Sequence, residues 1–390
     1  MKNHLNKYVL HLSTMALWDL GKGKGRASTY LPLKGMVDAG YKVLFLTSCN
    51  TQQSCVEAGI DVRHISVPIN GTRIYIQLFL FPLIVILFIM NGLWYCKRNK
   101  PSVIYAHATI LALPAYILSK MFRAKYVLRL YGIGKGLNKP FCPSGILLRI
   151  AFKLKADSYI FTNDGTNAKE FAISCGVDTN KIHFLRNGIN KDVDFHIDKN
   201  LRKDLAPNGE IVLLSVSRLV NWKHIDDIIR MMVPLKQKQL KFKLVIVGDG
   251  PERNNLENLC KQQDLSNYVV FVGALLQEKV FSYNLVSDIF ISLNELSSMS
   301  NPVFEAMLAG CVVIALNRGN TEEMIQNGNN GILIQTFDQL PDVVCDIISD
   351  PQKAAQIGQN AQKYMLDKWP SWTERINEEL NILNNLIEQK

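Results

Sequence analysis

IVLLSVSRLVNWKHIDDII, residues 211–229, runs from an apolar stretch, interrupted at Ser215, through Ser217 and Arg218 into the start of a helix. An apolar run of that length without alternation fits a strand covered on both faces, and a strand feeding a helix is one step of a βαβ unit. The same step recurs on either side. Toward the N-terminus stand YVLHLS, KVLFLT, DVRHISV, SVIYAH, AKYVLRLYG, SYIFTN and KIHFLRNGI; toward the C-terminus stand KLVIVGDG, YVVFVGAL, IFISLN and CVVIAL. The rhythm is interrupted once, by the polar stretch NKDVDFHIDKNLRKDLAPNGE at residues 190–210, read as a linker. The expectation is therefore α/β, with two doubly wound parallel sheets in domains 1–195 and 196–370. A last helix, 371–390, follows the break at Trp369-Pro370-Ser371-Trp372, with Ile376, Leu380, Leu383 and Leu386 near one stripe.

The 390 residues are 48% hydrophobic and 20% charged, enough for two ordinary globular cores. The eight cysteines are scattered, with no Cys-x-x-Cys pair and no zinc-like Cys/His spacing, so they read as thiols in a reducing cytosol and no metal site is expected. The charge is one-sided. Residues 1–195 hold 25 Lys and Arg against 10 Asp and Glu, and residues 196–390 hold 19 against 24, giving +15 and −5. A basic half attracts an anionic lipid surface, a phosphate-bearing acceptor or nucleic acid, although scattered solubilising charge has the same composition. No nucleic-acid recognition motif or basic-aromatic interleaving accompanies it, so nucleic acid is not an expected partner.

The first residues, MKNHLNKYVLHLST, enter a short strand and do not have the form of a signal peptide, which makes the start look cytosolic. Residues 74–96, IYIQLFLFPLIVILFIMNGLWYC, have spanning length and no charge and precede Lys97, Arg98 and Lys100. Strand-like runs of one sheet flank this segment on both sides, so a helix that is part core and part membrane-lying is favoured over a span, with Pro82 and Asn91 as irregularities.

Several residues could carry chemistry. Arg218 and Lys223, five apart after a strand, suit a diphosphate: the arginine as a planar fork and the lysine as a point charge. The plain alternative is two surface cations around a helix start. Val247-Gly248-Asp249-Gly250-Pro251 closes a strand with a tight turn. SLNELSSMSNPVFEAMLAGCVVIAL, residues 292–316, is a polar loop feeding a helix N-terminus, which favours an anion, and Glu305 in that helix could accept from a vicinal diol or be merely solvated. The first glycine-rich turn, residues 21–26 with Gly23 and Gly25, fits neither Gly-x-Gly-x-x-Gly nor a P-loop; it is either a solvated turn or a phosphate or acceptor contact.

Taken together, SRLVNWKHIDDII, VGDGPERNNLE, FEAMLAGCVVIA, KPSVIYAH and RNGIN resemble, in order, motifs of the retaining glycosyltransferases of family 4, the "glycosyl transferases group 1". The resemblance implies the GT-B fold: two Rossmann-like domains facing a cleft, the first for the acceptor, the second for a nucleotide sugar, and a C-terminal helix crossing back to the first. It implies that Arg218 and Lys223 bind the donor diphosphate, that Glu305 holds the ribose, and that backbone around Ala274 and Leu275 frames the base. Ser298, Met299, Ser300 and Asn301 would meet the phosphates and the transferred sugar, while Gly23, Gly25 and His107 would face the acceptor. Ser297 stands where the family commonly has the first glutamate of Glu-x7-Glu, with Glu295 as a candidate substitute. Tyr131 stands for a common histidine, and His224 for a glycine after the lysine.

The implied chemistry is metal-independent retaining transfer from a UDP- or GDP-linked sugar, without a cofactor, to a lipid-linked oligosaccharide or polysaccharide acceptor in the synthesis of a cell-surface glycan such as lipopolysaccharide. The protein would be cytoplasmic and peripheral on the inner membrane face. His107 is the first suspect for a base. A second reading, prompted by Ser297 and Tyr131, is a catalytically silent sugar-nucleotide or lipid-binding protein.

Overall fold

The structure, a computed structural model, describes residues 7–15, 27–48, 59–67, 79–133, 143–162 and 165–389. The chain divides into two compact units, one of residues 1–163, 167–187 and 372–390, the other of residues 164–166 and 188–371. Gly23 and Gly25 lie outside the described residues.

The first unit is a parallel sheet of β1 (Tyr8–Ser13), β2 (Lys42–Thr47), β3 (Asp61–His64), β4 (Val103–His107), β5 (Lys125–Leu130), β6 (Ser158–Thr162) and β7 (Ile182–Leu185), in the order β3-β2-β1-β4-β5-β6-β7. The apolar runs become strands because both sheet faces are covered. On one face α2 (Phe81–Tyr95), α3 (Ala112–Phe122), α4 (Pro143–Lys153) and α5 (Ala168–Ser174) close a core around Ile84, Phe88, Leu118, Leu148 and Phe161. On the other, α1 (Ala27–Asp38) and the final helix α13 (Trp372–Glu388) bury Leu33, Met36, Leu383 and Leu386 over Phe45 and Tyr105. The close approach of α1 and α13 requires Gly35, since a Cβ there would lie 2.3 Å from Ile376 Cγ2. The C-terminal helix thus belongs to the N-terminal unit.

Of the long apolar segment, residues 81–95 form a 15-residue helix, and residues 74–78 lie outside the described residues. Among the described residues no helix is long and apolar enough to cross a membrane. Pro82 occupies the first turn, where its missing N–H costs nothing, and Asn91 turns back to donate to Leu87 O at 2.9 Å.

The second unit is a parallel sheet of β8 (Ile211–Val216), β9 (Phe242–Val247), β10 (Val269–Gly273), β11 (Ile289–Ser292), β12 (Val312–Leu316) and β13 (Ile332–Ile334), ordered β10-β9-β8-β11-β12-β13. Helices α8 (Arg253–Gln262), α11 (Leu340–Ser349) and α12 (Pro351–Lys368) help to cover this sheet, and the three-residue β13 is beyond what the sequence rhythm predicts. The stretch read as a linker carries a helix, α6 (Lys199–Leu205), whose first amides donate to the Asp198 carboxylate. Arg202 fixes α6 to the sheet through Asp288 at 2.8 Å and Val286 O at 2.6 Å. Strand order reverses between β1 and β4 in one unit and between β8 and β11 in the other, and crevices for ligands open at the carboxyl ends of such strand pairs.

Candidate active site

At the carboxyl end of β8 the chain lies against the turn after β9. Ser217 N donates to Val247 O and Leu219 N to Asp249 O, each at 3.0 Å. This contact dictates the two glycines of Val247-Gly248-Asp249-Gly250-Pro251: Gly248 has φ +133°, and Cβ atoms built at Gly248 and Gly250 would meet Ser217 O and Leu219 O at 1.8 and 2.3 Å. Leu219 is buried, and its anchoring leaves Arg218 exposed. A single 3-10 turn, Asn221–Lys223, then brings Lys223 back to the same place, and α7 (Ile225–Gln237) begins.

His224 adopts the left-handed conformation, φ 51°, which explains the glycine more usual there; its ring is held by Asp227 at 2.8 Å and by Phe337, centroid to centroid 4.8 Å. His224, Asp226 and Asp227 come within 4.8 Å of one another, and Arg230 contacts both carboxylates, Asp226 at 2.6 Å and Asp227 at 3.5 Å, supplying the cationic partner.

Arg218 lies 5.5 Å from the centroid of the Trp222 ring. Among the described residues neither Arg218 nor Lys223 has an ion-pair partner. Half-buried beside another cation, Lys223 has its pKa pushed down to about 8, by burial first and by the Arg218 charge second. Two like charges held together, with no counter-ion among the described residues, are an arrangement that a bound anion would neutralise.

The loop after β11 leads into α10 (Asn301–Leu308). Ser297 and Ser298 are buried within it. Ser297 Oγ accepts from Met299 N at 3.1 Å, its carbonyl accepts from Asn294 Nδ2, and the Ser298 amide donates to Thr321 Oγ1 at 3.1 Å. Met299 points into the core, and Ser300 stands at the N-cap position of α10 with no side-chain hydrogen bond to the helix. Ser297 is enclosed by glycine backbone, since a Cβ on Gly165 would come 2.2 Å from its Oγ. Asn301, at the first turn of α10, is half-buried.

Glu305, one turn further along α10, accepts from Gln277 Nε2 at 2.7 Å. Burial pushes its pKa up to about 7 against the lowering effect of that hydrogen bond. Gln277 begins α9 (Gln277–Leu285), one residue beyond the pair Ala274, which is exposed, and Leu275, which packs on the core. The fold thus joins the Ala274-Leu275 turn to Glu305 through Gln277, a residue that no sequence motif marks.

At the switch point of the first sheet His107 is buried, with both ring nitrogens engaged: Nε2 lies 2.8 Å from His11 Nδ1 and Nδ1 lies 2.8 Å from the Tyr131 hydroxyl. Burial holds His107 well below its ordinary pKa and brings His11 down to about 3, so both rings are neutral. Tyr131, whose hydroxyl ends this row of contacts, is itself half-buried. Behind it lies a buried ion cluster: Arg129 donates to both Glu379 oxygens at 3.0 and 2.9 Å, and Arg375 lies 2.8 Å from the same carboxylate. His11 and Arg129 sit in strand runs that read as plain core, which hides both from sequence patterning.

Residues 196–364 match the family model described as "Glycosyl transferases group 1". Residues 196–364 are a glycosyl transferases group 1 domain. Two relatives set that domain in context. Over 173 residues, 42% of this chain and 45% of the relative, the sequence is 26% identical to the GDP-mannose-dependent alpha-(1-6)-phosphatidylinositol monomannoside mannosyltransferase of Mycolicibacterium smegmatis. Over 194 residues, 49% of this chain and 50% of the relative, it is 27% identical to N-acetyl-alpha-D-glucosaminyl L-malate synthase of Bacillus anthracis. The match spans about half the length of these curated relatives. Among solved structures, Anabaena HepE in complex with UDP and glucose has a TM-score of 0.74 at 20% identity, covering 97% of this chain and 100% of that one. WaaG, a glycosyltransferase involved in lipopolysaccharide biosynthesis, has 0.71 at 14%, covering 95% and 98%. These likenesses show the fold, the two-domain GT-B architecture of which the group 1 domain is the C-terminal half.

Proposed function

We propose that the chain is a retaining, metal-independent glycosyltransferase that moves a sugar from a UDP- or GDP-linked donor to a lipid-linked or polysaccharide acceptor in cell-surface glycan synthesis. The observation that carries this reading is the pair Arg218 and Lys223, fixed at the switch point of the second sheet without a carboxylate partner among the described residues. Membership of residues 196–364 in the group 1 family supports it.

In this reading Arg218 and Lys223 neutralise the charge that develops on the diphosphate as its bond to the anomeric carbon breaks. The acceptor oxygen bonds to that carbon on the same face, and its proton passes to the departing phosphate oxygen, so no enzyme nucleophile is needed. Glu305 takes the ribose diol, the turn at Ala274 and Leu275 takes the base, and Asn301 and Ser300 meet the phosphates at the start of α10. Ser297, Ser298 and Met299 act from within the loop, shaping it. In the first unit His107 acts through Tyr131, whose hydroxyl faces the acceptor. A glycolipid product and attachment to the cytoplasmic face of the membrane complete the reading, supported by relatives named for lipid glycosylation, such as the alpha-monoglucosyldiacylglycerol synthase of Acholeplasma laidlawii, 23% identical over 155 residues.

The test is a panel of UDP- and GDP-sugars, scored first by thermal shift, since a donor that binds only the folded protein raises its stability. Hits are then supplied with acceptor extract in the presence of EDTA, and the anomeric configuration of the product is read by NMR. An axial donor giving an axial linkage in EDTA is expected; an inverted product or a strict metal requirement overturns the mechanism. Donor binding with neither transfer nor hydrolysis favours the silent binding protein.

A further inference from the structure

Among the described residues, helix α2 packs through one of its faces. Ile84, Val85, Phe88 and Gly92 are buried, and Gly92 lies so close to α3 that a Cβ would meet Leu118 Cδ1 at 2.6 Å. The opposite side carries Leu83, Ile86, Met90 and Trp94, 42, 54, 61 and 73% exposed, preceded by Phe79 at 85%. Steps of four, three, four and four residues place these five on one stripe, and Met121 at the end of α3 is 56% exposed. Large apolar side chains gathered in this way mark an interaction face.

Charge indicates what covers it. Residues 62–156 contain 14 Lys and Arg and not a single Asp or Glu. Lys97 and Arg98 follow α2 directly, and Lys120 and Arg123 are exposed at the end of α3. The contact of Gly92 with Leu118 brings the last turns of α2 and α3 together, so these four cations gather at one end of the stripe.

From this we propose that the outer face of α2 docks in the plane of an anionic bilayer, with Leu83, Ile86, Met90 and Trp94 at acyl depth and Lys97, Arg98, Lys120 and Arg123 on the headgroup phosphates. The packed inner face fixes the helix to its domain, which suits lying on the surface. The inference deepens the membrane attachment proposed above and names the face responsible.

The full chain is mixed with phosphatidylcholine vesicles, with and without phosphatidylglycerol, and sedimented. Binding should require the anionic lipid and fall with added salt. The triple variant Ile86→Ser, Met90→Ser, Trp94→Ser should partition more than about tenfold less, because it removes three exposed apolar side chains from the docking face and none from the core. Trp94→Phe should bind as the parent does but lose the blue shift of tryptophan emission on adding vesicles. Unchanged partitioning of the triple variant, or an unchanged blue shift in Trp94→Phe, overturns the assignment. So does a parent protein that self-associates in solution and becomes monomeric in the triple variant, which would make the face a contact between copies. Donor thermal shift, measured on the same variants, separates the two readings: vesicle binding without donor binding leaves docking intact and removes the transferase reading.

Discussion

Two groups of cations stand near the carboxyl ends of two similar sheets, and they are treated in opposite ways. In the first unit Arg129 and Arg375 share Glu379, all three being almost wholly buried. In the second, Arg218 and Lys223 lie together with no carboxylate partner among the described residues and remain open to solvent or half-buried. Buried charge is tolerated where it is compensated within the fold, whereas uncompensated like charge at a ligand crevice is stabilised by what binds there. The first group is therefore architecture, and the second, in the proposed reading, is a receptor for an anion.

The sharpest way to break this comparison is to delete the open pair. Arg218→Ala with Lys223→Ala should lower transfer by about a thousandfold or more, on the order of 4 kcal/mol of transition-state stabilisation. Thermal unfolding of the ligand-free protein should be unchanged or slightly higher, because a like-charge contact is relieved. Turnover near that of the parent would remove the diphosphate assignment. The closed cluster should answer in reverse. Glu379→Gln leaves Arg129 and Arg375 buried without their anion and should cost about 3–5 kcal/mol in denaturant unfolding. Replacing all three charges together with apolar residues of similar volume should cost much less. If Glu379→Gln unfolds within about 1 kcal/mol of the parent, the cluster is not the closed electrostatic unit described here.

The same contrast governs what the sequence reveals. The sheets were legible because a parallel strand covered on both faces is a plain apolar run, as in YVLHLS or KLVIVG. The three residues of β13 fall below that signal. Helix α6 was hidden because it buries Leu205 alone and is otherwise a charged surface helix. In α13 the apolar stripe pointed correctly to Leu383 and Leu386, but the structure also buries Arg375 and Glu379, which any hydropathy pattern assigns to solvent. In the proposed site, Arg218 and Lys223 stand out in the sequence by their spacing after a strand. Gln277 reaches Glu305 across 28 residues of chain and belongs to no motif. Ser297 shows the limit from the other side, since its departure from the family pattern is visible in sequence while its enclosure by the Gly165 backbone is not.

A last test separates the contributions of Lys223 and Glu305. Lys223 has a pKa of about 8 and Glu305 of about 7, both displaced chiefly by burial. Above about pH 8 the ligand-free lysine loses its charge, so a diphosphate must bring a proton with it, and affinity falls by up to about tenfold per pH unit. Below about pH 7 Glu305 is protonated and accepts less well from a ribose diol, so affinity declines there also. Donor affinity should therefore be greatest between about pH 7 and 8, with proton uptake on binding on the alkaline side, measurable by calorimetry in buffers of different ionisation enthalpy. Lys223→Arg should flatten the alkaline limb alone, because arginine stays charged throughout, and Glu305→Gln the acid limb alone. A parent protein with flat affinity from about pH 6 to about 9 would mean that neither group meets the donor, and the anion site would then rest on Arg218 by itself.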